Sequence, residues 1–227
     1  MSGRDAVLAK VRRALGGSGT QEQRRRAADA RLANPQPNVI PARGQLDPES
    51  RVQLFMAMAE KVSATVQRLP AREDVPSAVA AYLRRHNLPA QIRSGADPDI
   101  QALPWDREPN LERRIGASDG SDAVSLSCAF AGVAESGTLA LLSGPENPTT
   151  LNFLPDTHIV MIDAADIAGD YETVWRRLRK RYGSGAMPRT VNFITGPSRS
   201  ADIEQTLILG AHGPRALHIL VVGSHDA

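Results

Sequence analysis

The stretch "THIVMIDAADIAGDYETVWRRLRKRYGSGAMPRTVNFITG", Thr157 to Gly196, decides the fold class. Its two ends, "THIVMID" and "TVNFITG", are short apolar runs bounded by turn residues and lacking polar alternation. That is the pattern of strands covered on both faces. Between them, Tyr171 to Tyr182 reads as a helix. Working outward, "TLALLSG" (Thr138–Gly144) and "ALHILVVG" (Ala216–Gly223) repeat the strand pattern. The resulting β…β-α-β…β order predicts an α/β domain with a mostly parallel sheet and flanking helices.

Upstream, Asp47-Pro48 is an N-cap followed by a first-turn proline, and apolar residues at Val52, Phe55, Met56, Ala59, Val62 and Val66 predict a helix to about Arg68. A second helix is expected from near Asp74 to His86, then a short strand at "LPAQIRS". Residues 95 to 118 read as loop with a short helix at "PNLERRI". Residues 1 to 46 differ in character: an amphipathic helix carrying Val7, Leu8, Val11 and Leu15, a "GGSG" break, an arginine-rich helix and "NPQPNVIPARG". They form a helical N-terminal arm, 1–46, ahead of an α/β domain, 47–227.

Composition narrows the function classes. The 227 residues carry a formal net charge of +2 with 23% charged, 41% hydrophobic and 4% aromatic residues. This is ordinary globular usage, and so few aromatics argue against a base-stacking, nucleic-acid-binding surface. The clusters Arg24–Arg26 and Arg176, Arg177, Arg181 sit in helical segments and read as solvated faces. A lone cysteine, Cys128, excludes an internal disulfide and cannot hold an iron–sulfur cluster by itself. With no signal-peptide core and no long apolar run, the expectation is a cytoplasmic protein that does not span a membrane.

Three constellations could carry chemistry. In "AGVAESGT" small residues permit close approach, and Gly137 lets the chain reverse so that Glu135 points out of a tight loop, as nucleophile, base or ligand contact; the alternative is a glutamate paired with backbone amides or an arginine. In "TVNFITGPSRSADIEQ" a buried strand ends at Gly196-Pro197-Ser198-Arg199, and a helix is expected to start near Ser200. A strand end meeting a helix N-terminus favours an anion, although Asp202 and Glu204 in the first turns could satisfy the dipole instead. In "ILGAHGPRALHIL" His212 lies on a turn and is a candidate for proton transfer or a partner contact, whereas His218, inside a strand, reads as structural. His158, opening "THIVMID", is ambiguous. No metal-ligand spacing, Gly-x-Gly-x-x-Gly or Walker A sequence occurs.

"VAESGTLAL", "FLPDTHIVMI" and "ITGPSRSADIEQTLILGAHGPRALHILVV" together resemble the lactate-utilisation protein C family, defined by the LUD domain, over roughly residues 115 to 223. The resemblance implies a fold related to ribose-5-phosphate isomerase and coenzyme A transferases. It also implies a part in the oxidation of L-lactate to pyruvate, beside partner proteins that carry the iron–sulfur clusters, with no cofactor or metal on this chain. The matching positions are Glu135, Ser136, Gly137 and Thr138; Thr195, Gly196, Pro197, Ser198, Asp202, Ile203 and Glu204; and His212, Gly213 and Pro214. Ser136 stands where threonine is more usual and keeps the hydroxyl.

Two functions are consistent with these residues. One is a non-redox component of a lactate-oxidising system that binds a small anionic ligand or a partner where Glu135, the Gly196–Arg199 loop and His212 converge. The other is a stand-alone acyl-transferase-like or isomerase-like enzyme using Glu135.

Overall fold

Strand formation is densest where β-branched residues run together, and in the computed structural model those runs build the centre of the molecule. The structure describes residues 3–14, 20–183, 185–201 and 207–223, and only the backbone at 200, 201 and 207–209. The chain divides into two compact units, Met1–Asn38 and Val39–Ala227.

The first unit holds two helices, α1 (Gly3–Ala14) and α2 (Gln21–Ala33), neither with a buried residue. Thr20 caps α2 through a reciprocal pair, its hydroxyl accepting from Gln23 N at 3.3 Å and Gln23 Oε1 accepting from Thr20 N at 2.8 Å. Val7, Leu8 and Val11 lie exposed along α1. Leu15 lies outside the described residues.

The second unit opens with α3 (Pro48–Lys61), β1 (Thr65–Leu69), α4 (Val75–Arg85) and β2 (Gln91–Ser94). A short α5 (Pro98–Gln101), β3 (Glu112–Ile115), β4 (Val124–Cys128), β5 (Ala131–Val133) and β6 (Thr138–Leu142) follow. Next come β7 (Thr157–Asp163), β8 (Ile167–Ala168), α6 (Tyr171–Tyr182) and β9 (Val191–Ile194), then β10 (Arg199–Ala201), β11 (Leu207–Leu209) and β12 (Ala216–Val222).

Six strands form one parallel sheet in the order β1-β12-β7-β4-β2-β3. Its central strands are largely apolar because both faces are covered. On one face Val160, Ile162, Ile219 and Val221 pack with Val52, Phe55 and Ala59 of α3 and with Leu139 and Leu141 of β6. On the other, Ile159, Met161, Leu220 and Val222 pack with Val75, Val79 and Leu83 of α4. The α/β expectation of a mostly parallel sheet with flanking helices holds.

Four local expectations are corrected. The helix from Pro48 ends at Lys61, and Ser63 turns with φ 69° into β1, because the β-branched Thr65 and Val66 gain more beside β12 than in a further helical turn. "PNLERRI" supplies the edge strand β3, not a helix, in parallel register with β2. The runs "TLALLSG" and "TVNFITG" leave the parallel sheet; β6 and β9 pair antiparallel in a four-stranded sheet, β8-β5-β6-β9. Finally, the chain after Pro197 forms an antiparallel ribbon where a helix start was expected, Arg199 opposite Leu209. The helix-dipole anion site expected near Ser200 therefore has no helix at that point.

The four-stranded sheet carries α6, whose Val174 and Leu178 pack on Ala131, Val133, Ala140 and Ala168. Asp170 starts that helix: one carboxylate oxygen accepts from Thr173 N at 2.8 Å, the other from Thr173 Oγ1 at 3.0 Å and Gln45 Nε2 at 2.9 Å. Asp170→Ala is expected to lower stability by about 1–2 kcal/mol and Asp170→Asn by less, read from thermal unfolding midpoints.

Candidate functional site

The β5–β6 connection is built on close approach. Gly137 N donates to Val133 O at 2.9 Å, and Gly137 has φ 66°. A Cβ at this position would fall 2.3 Å from Ala59 N of α3. Ala134 N and Glu135 N donate to Ala168 O at 2.8 Å and Gly169 O at 3.3 Å. Contrary to expectation, Glu135 does not point out of this turn: it is only 4% exposed. Its Oε2 makes no hydrogen bond, and the guanidinium of Arg43 lies 3.8 Å away. Arg43 belongs to a single turn, Ala42–Gly44, seated against Gly169 so closely that a Cβ on Gly44 would lie 2.1 Å from Gly169 O. The buried carboxylate thus faces a largely exposed arginine.

Beside it runs a line of hydroxyls. Ser136 Oγ, Thr138 Oγ1 and Tyr171 OH lie within 2.8–3.0 Å of one another, and Thr138 Oγ1 meets Thr195 Oγ1 at 2.7 Å. Thr195 leads into Gly196, whose φ of 76° turns the chain where a Cβ would sit 2.3 Å from Val62 O.

The next loop is tied to the last connection. Ser198 N donates to Pro214 O at 2.8 Å, Gly210 N to Ser198 O at 3.0 Å and His212 N to Ser198 Oγ at 3.3 Å. Between these segments lies a cleft of about 210 Å³, lined by Gly196, Pro197, Ser198, His212 and Gly213 and also by His158, Leu217, Phe153 and Phe193. His158 is fully buried, its Nε2 3.0 Å from Ser127 Oγ, its Nδ1 without a hydrogen-bond partner. Burial pushes this imidazole down to about 3, so the ring is neutral near pH 7.

The structure thus brings Ser136, Thr138 and Thr195 together through their hydroxyls, and Gly196, Pro197, Ser198, His212 and Gly213 around one cleft. Glu135 does not line that cleft. Arg199 donates to Val62 O at the end of α3, which occupies its guanidinium with a backbone carbonyl. Asp202, Ile203 and Glu204 lie outside the described residues. His218 is buried against Tyr82, with ring centroids 4.2 Å apart, and its Nδ1 meets Thr65 Oγ1 at 2.8 Å.

Sequence reasoning underweighted His158. The available signal was a single imidazole near the start of an apolar strand. A second overlooked feature is Gly116-Ala117-Ser118-Asp119-Gly120, which spells the Gly-x-Ser-x-Gly of a hydrolase elbow. Here it joins two strands, and Ser118 Oγ donates to Asp122 Oδ2 at 2.7 Å, so the hydroxyl serves the loop.

A larger cavity, about 490 Å³, opens at the carboxyl ends of β4 and β7, bordered by Asp97, Asp99, Cys128, Asp163, Asp166 and Arg181. Ligand atoms of Asp97, Asp99 and Cys128 lie within 4.8 Å of one another, a grouping that spacing along the chain does not reveal. Each acid also has a protein partner: Asn147 Nδ2 donates to Asp97 at 2.9 Å, and Arg72 bridges Asp99 and Asp163. Burial raises the Cys128 thiol well above its ordinary value, so the sulfur stays protonated.

The LUD domain family profile matches residues 52–222. The chain is 38% identical over 119 residues to the lactate utilization protein C of Halalkalibacterium halodurans, covering 52% of this chain and 51% of that protein. The protein of the same name from Bacillus subtilis is 34% identical over 119 residues, 52% and 49% of the two chains. An uncharacterized protein of Neisseria meningitidis serogroup B is 35% identical over 127 residues, 56% and 53% of the two. The chain thus spans about half the length of the curated relatives it matches. The crystal structure of a DUF162 family protein from Deinococcus radiodurans superposes with a TM-score of 0.60 at 19% identity, covering 78% of this chain and 99% of that one, a likeness of fold.

Proposed function

This chain belongs to the LUD domain family, and from that premise we propose that it is a non-redox component of a cytoplasmic lactate-utilisation system that holds a small anionic ligand in the cleft between Gly196–Ser198 and His212–Gly213. The carrying observation is that the two segments flanking the β10–β11 ribbon are hydrogen-bonded together and border a recess lined by both polar and apolar side chains. At about 210 Å³ it suits a metabolite of a few heavy atoms. Ser198 Oγ accepts from His212 N and keeps its own hydrogen for a carboxylate, and the exposed His212 ring adds a second donor at the mouth. Iron–sulfur clusters belong to partner proteins in this reading, since Cys128 is a single, half-buried thiol. Among the described residues no helix is long and apolar enough to cross a membrane.

Gly213→Leu tests the assignment. A Cβ there sits 3.4 Å from Ser198 Cβ, so a longer side chain fills the recess without demanding an unusual backbone. The variant is expected to keep the thermal midpoint within a few degrees and to abolish growth on lactate of a strain lacking the wild-type gene. Full growth with the cleft blocked would reject the site.

A second reading rests on the Glu135 oxygen that is buried without a hydrogen bond. An acyl-transferase-like or isomerase-like enzyme would use this carboxylate as nucleophile or base once the Arg43 turn lifts. Incubation with acyl-coenzyme A and intact-mass measurement distinguishes the two: an adduct lost in Glu135→Gln favours the enzyme, an unmodified mass favours binding.

A further inference from the structure

The crevice of about 490 Å³ shares no residue with the cleft of Ser198 and His212. Five carboxylates border it: Asp97, Asp99, Glu146, Asp163 and Asp166. They converge because the neighbouring parallel strands β2, β4 and β7 end side by side. Arg72 pairs with Asp99 and Asp163, and Arg177 lies 3.8 Å from Asp166. Two cations against five carboxylates leave the crevice acidic, and the exposed Glu146 has no ion-pair partner among the described residues. Burial, and then the charge of Asp163, raises the Asp166 carboxyl above its ordinary value, a cost that an arriving cation relieves. One side of the same crevice is the end of α6, through Arg181 and Tyr182. That last turn carries Arg179, Lys180 and Arg181, each exposed. Val174 and Leu178 hold the opposite face of α6 against the sheet, which turns Arg179 and Lys180 to solvent. The Arg181 guanidinium lies over Phe130 and Tyr182, 5.5 and 5.9 Å from the ring centroids. Among the described residues none of these three cations forms an ion pair.

Two patches of opposite sign lying side by side match each other after a half-turn, which is the geometry of a two-fold contact. We infer that a second copy of this chain docks on this face, with Arg179 and Lys180 of each copy against the acid crevice of the other. The crevice has room for the ends of two long cationic side chains. Half-buried Phe130 and Leu142 in its wall and the exposed Met187 after α6 supply apolar area around the charges. A single surface ion pair contributes little, but in a closed dimer every contact occurs twice. The association is electrostatic and therefore governed by salt. Nucleic acid suits the helix end poorly, because the neighbouring carboxylates repel phosphates, whereas a second copy brings cations to those carboxylates.

The experiment is sedimentation equilibrium of the full chain at about 0.05 M and about 0.5 M sodium chloride. A dimer is expected, with a dissociation constant at least about 10-fold higher at the higher salt. Two charge-reversed chains locate the contact, one carrying Arg179→Glu with Lys180→Glu, the other Glu146→Lys with Asp166→Lys. Each alone should sediment as a monomer at low salt. Their equimolar mixture should recover the dimer, because the reversed helix end meets the reversed crevice in one contact and the original pair meets in the other. Recovery shows at the same time that both chains are folded. Lys180→Glu and Glu146→Lys, single changes at exposed positions, repeat the cross-test with a smaller effect should Asp166→Lys unfold the chain. A wild-type chain that stays monomeric at low salt overturns the inference. So does a dimer that neither reversal weakens, or a mixture of two folded variants that stays monomeric. A monomer that binds poly-L-glutamate through Arg179 and Lys180 assigns the helix end to a different acidic partner and also overturns it.

Discussion

Replacing Gly137 by alanine is expected to cost about 4 kcal/mol and to lower the thermal midpoint by roughly 10 °C or more. Two penalties combine. The φ of 66° is one that a side chain tolerates poorly, at about 1–3 kcal/mol. The added Cβ would also fall 2.3 Å from Ala59 N and 2.6 Å from Met58 C, which are helix backbone and cannot rotate away. Overpacking of that kind costs about 1–3 kcal/mol more. Gly120→Ala isolates the first penalty, because Gly120 has φ 95° and nothing within 4 Å of a built Cβ. Scanning calorimetry on both should show a clearly larger loss at Gly137; equal losses would mean that the seating of the β5–β6 turn on α3 contributes little.

Acidification between pH 7 and pH 5 is expected to remove about 4 kcal/mol of unfolding free energy through two buried histidines. Burial depresses His158 to about 3 and His218 to about 4, each from an ordinary value of 6.5. Below 6.5 the unfolded chain takes up a proton on each ring, whereas the folded chain does so only near the lower values. The unfolded state therefore binds more protons throughout this window, and stability falls as pH falls. Above about 7 the two groups contribute no slope. Urea unfolding at pH 7, 6 and 5 provides the measurement, with the variant carrying His158→Gln and His218→Gln as a reference that cannot titrate at these positions. A wild-type free energy unchanged from pH 7 to pH 5 would contradict the burial of both rings. The two rings occupy opposite faces of the sheet, His158 toward the cleft and His218 against Tyr82, so their contributions add.

Much of the fold was legible because it depends on local pattern. The covered strands β7 and β12 announce themselves as unbroken apolar runs, and α6 begins at an aspartate cap and ends before Gly183. Pairing direction was not legible. "TVNFITG" reads like its parallel counterparts, yet β9 lies antiparallel to β6, because an apolar run states that a strand is covered and not which neighbour covers it. "PNLERRI" carries a weak helical period that yields to the free edge of β2. The missed strand β1 has a similar cause: Val62 and Val66 continue a helical spacing, and only the partner β12 makes the extended form better.

The site divides in the same way. Sequence by itself determined the inventory: the Glu-Ser-Gly-Thr turn, the Thr-Gly-Pro-Ser loop and the His-Gly-Pro turn are contiguous strings whose small residues and hydroxyls survive inspection without coordinates. Only the tertiary structure decided which of them meet. It zips Ser198 to Pro214 and His212, links Thr138 to Thr195, and withdraws Glu135 beneath Arg43. It also brings His158, separated from Ser127 by thirty-one positions, within hydrogen-bond reach of that serine. The physical reason is that a residue's type is a local property of the chain, whereas its burial, its partner and its protonation depend on neighbours that sheet register and loop closure bring from far away.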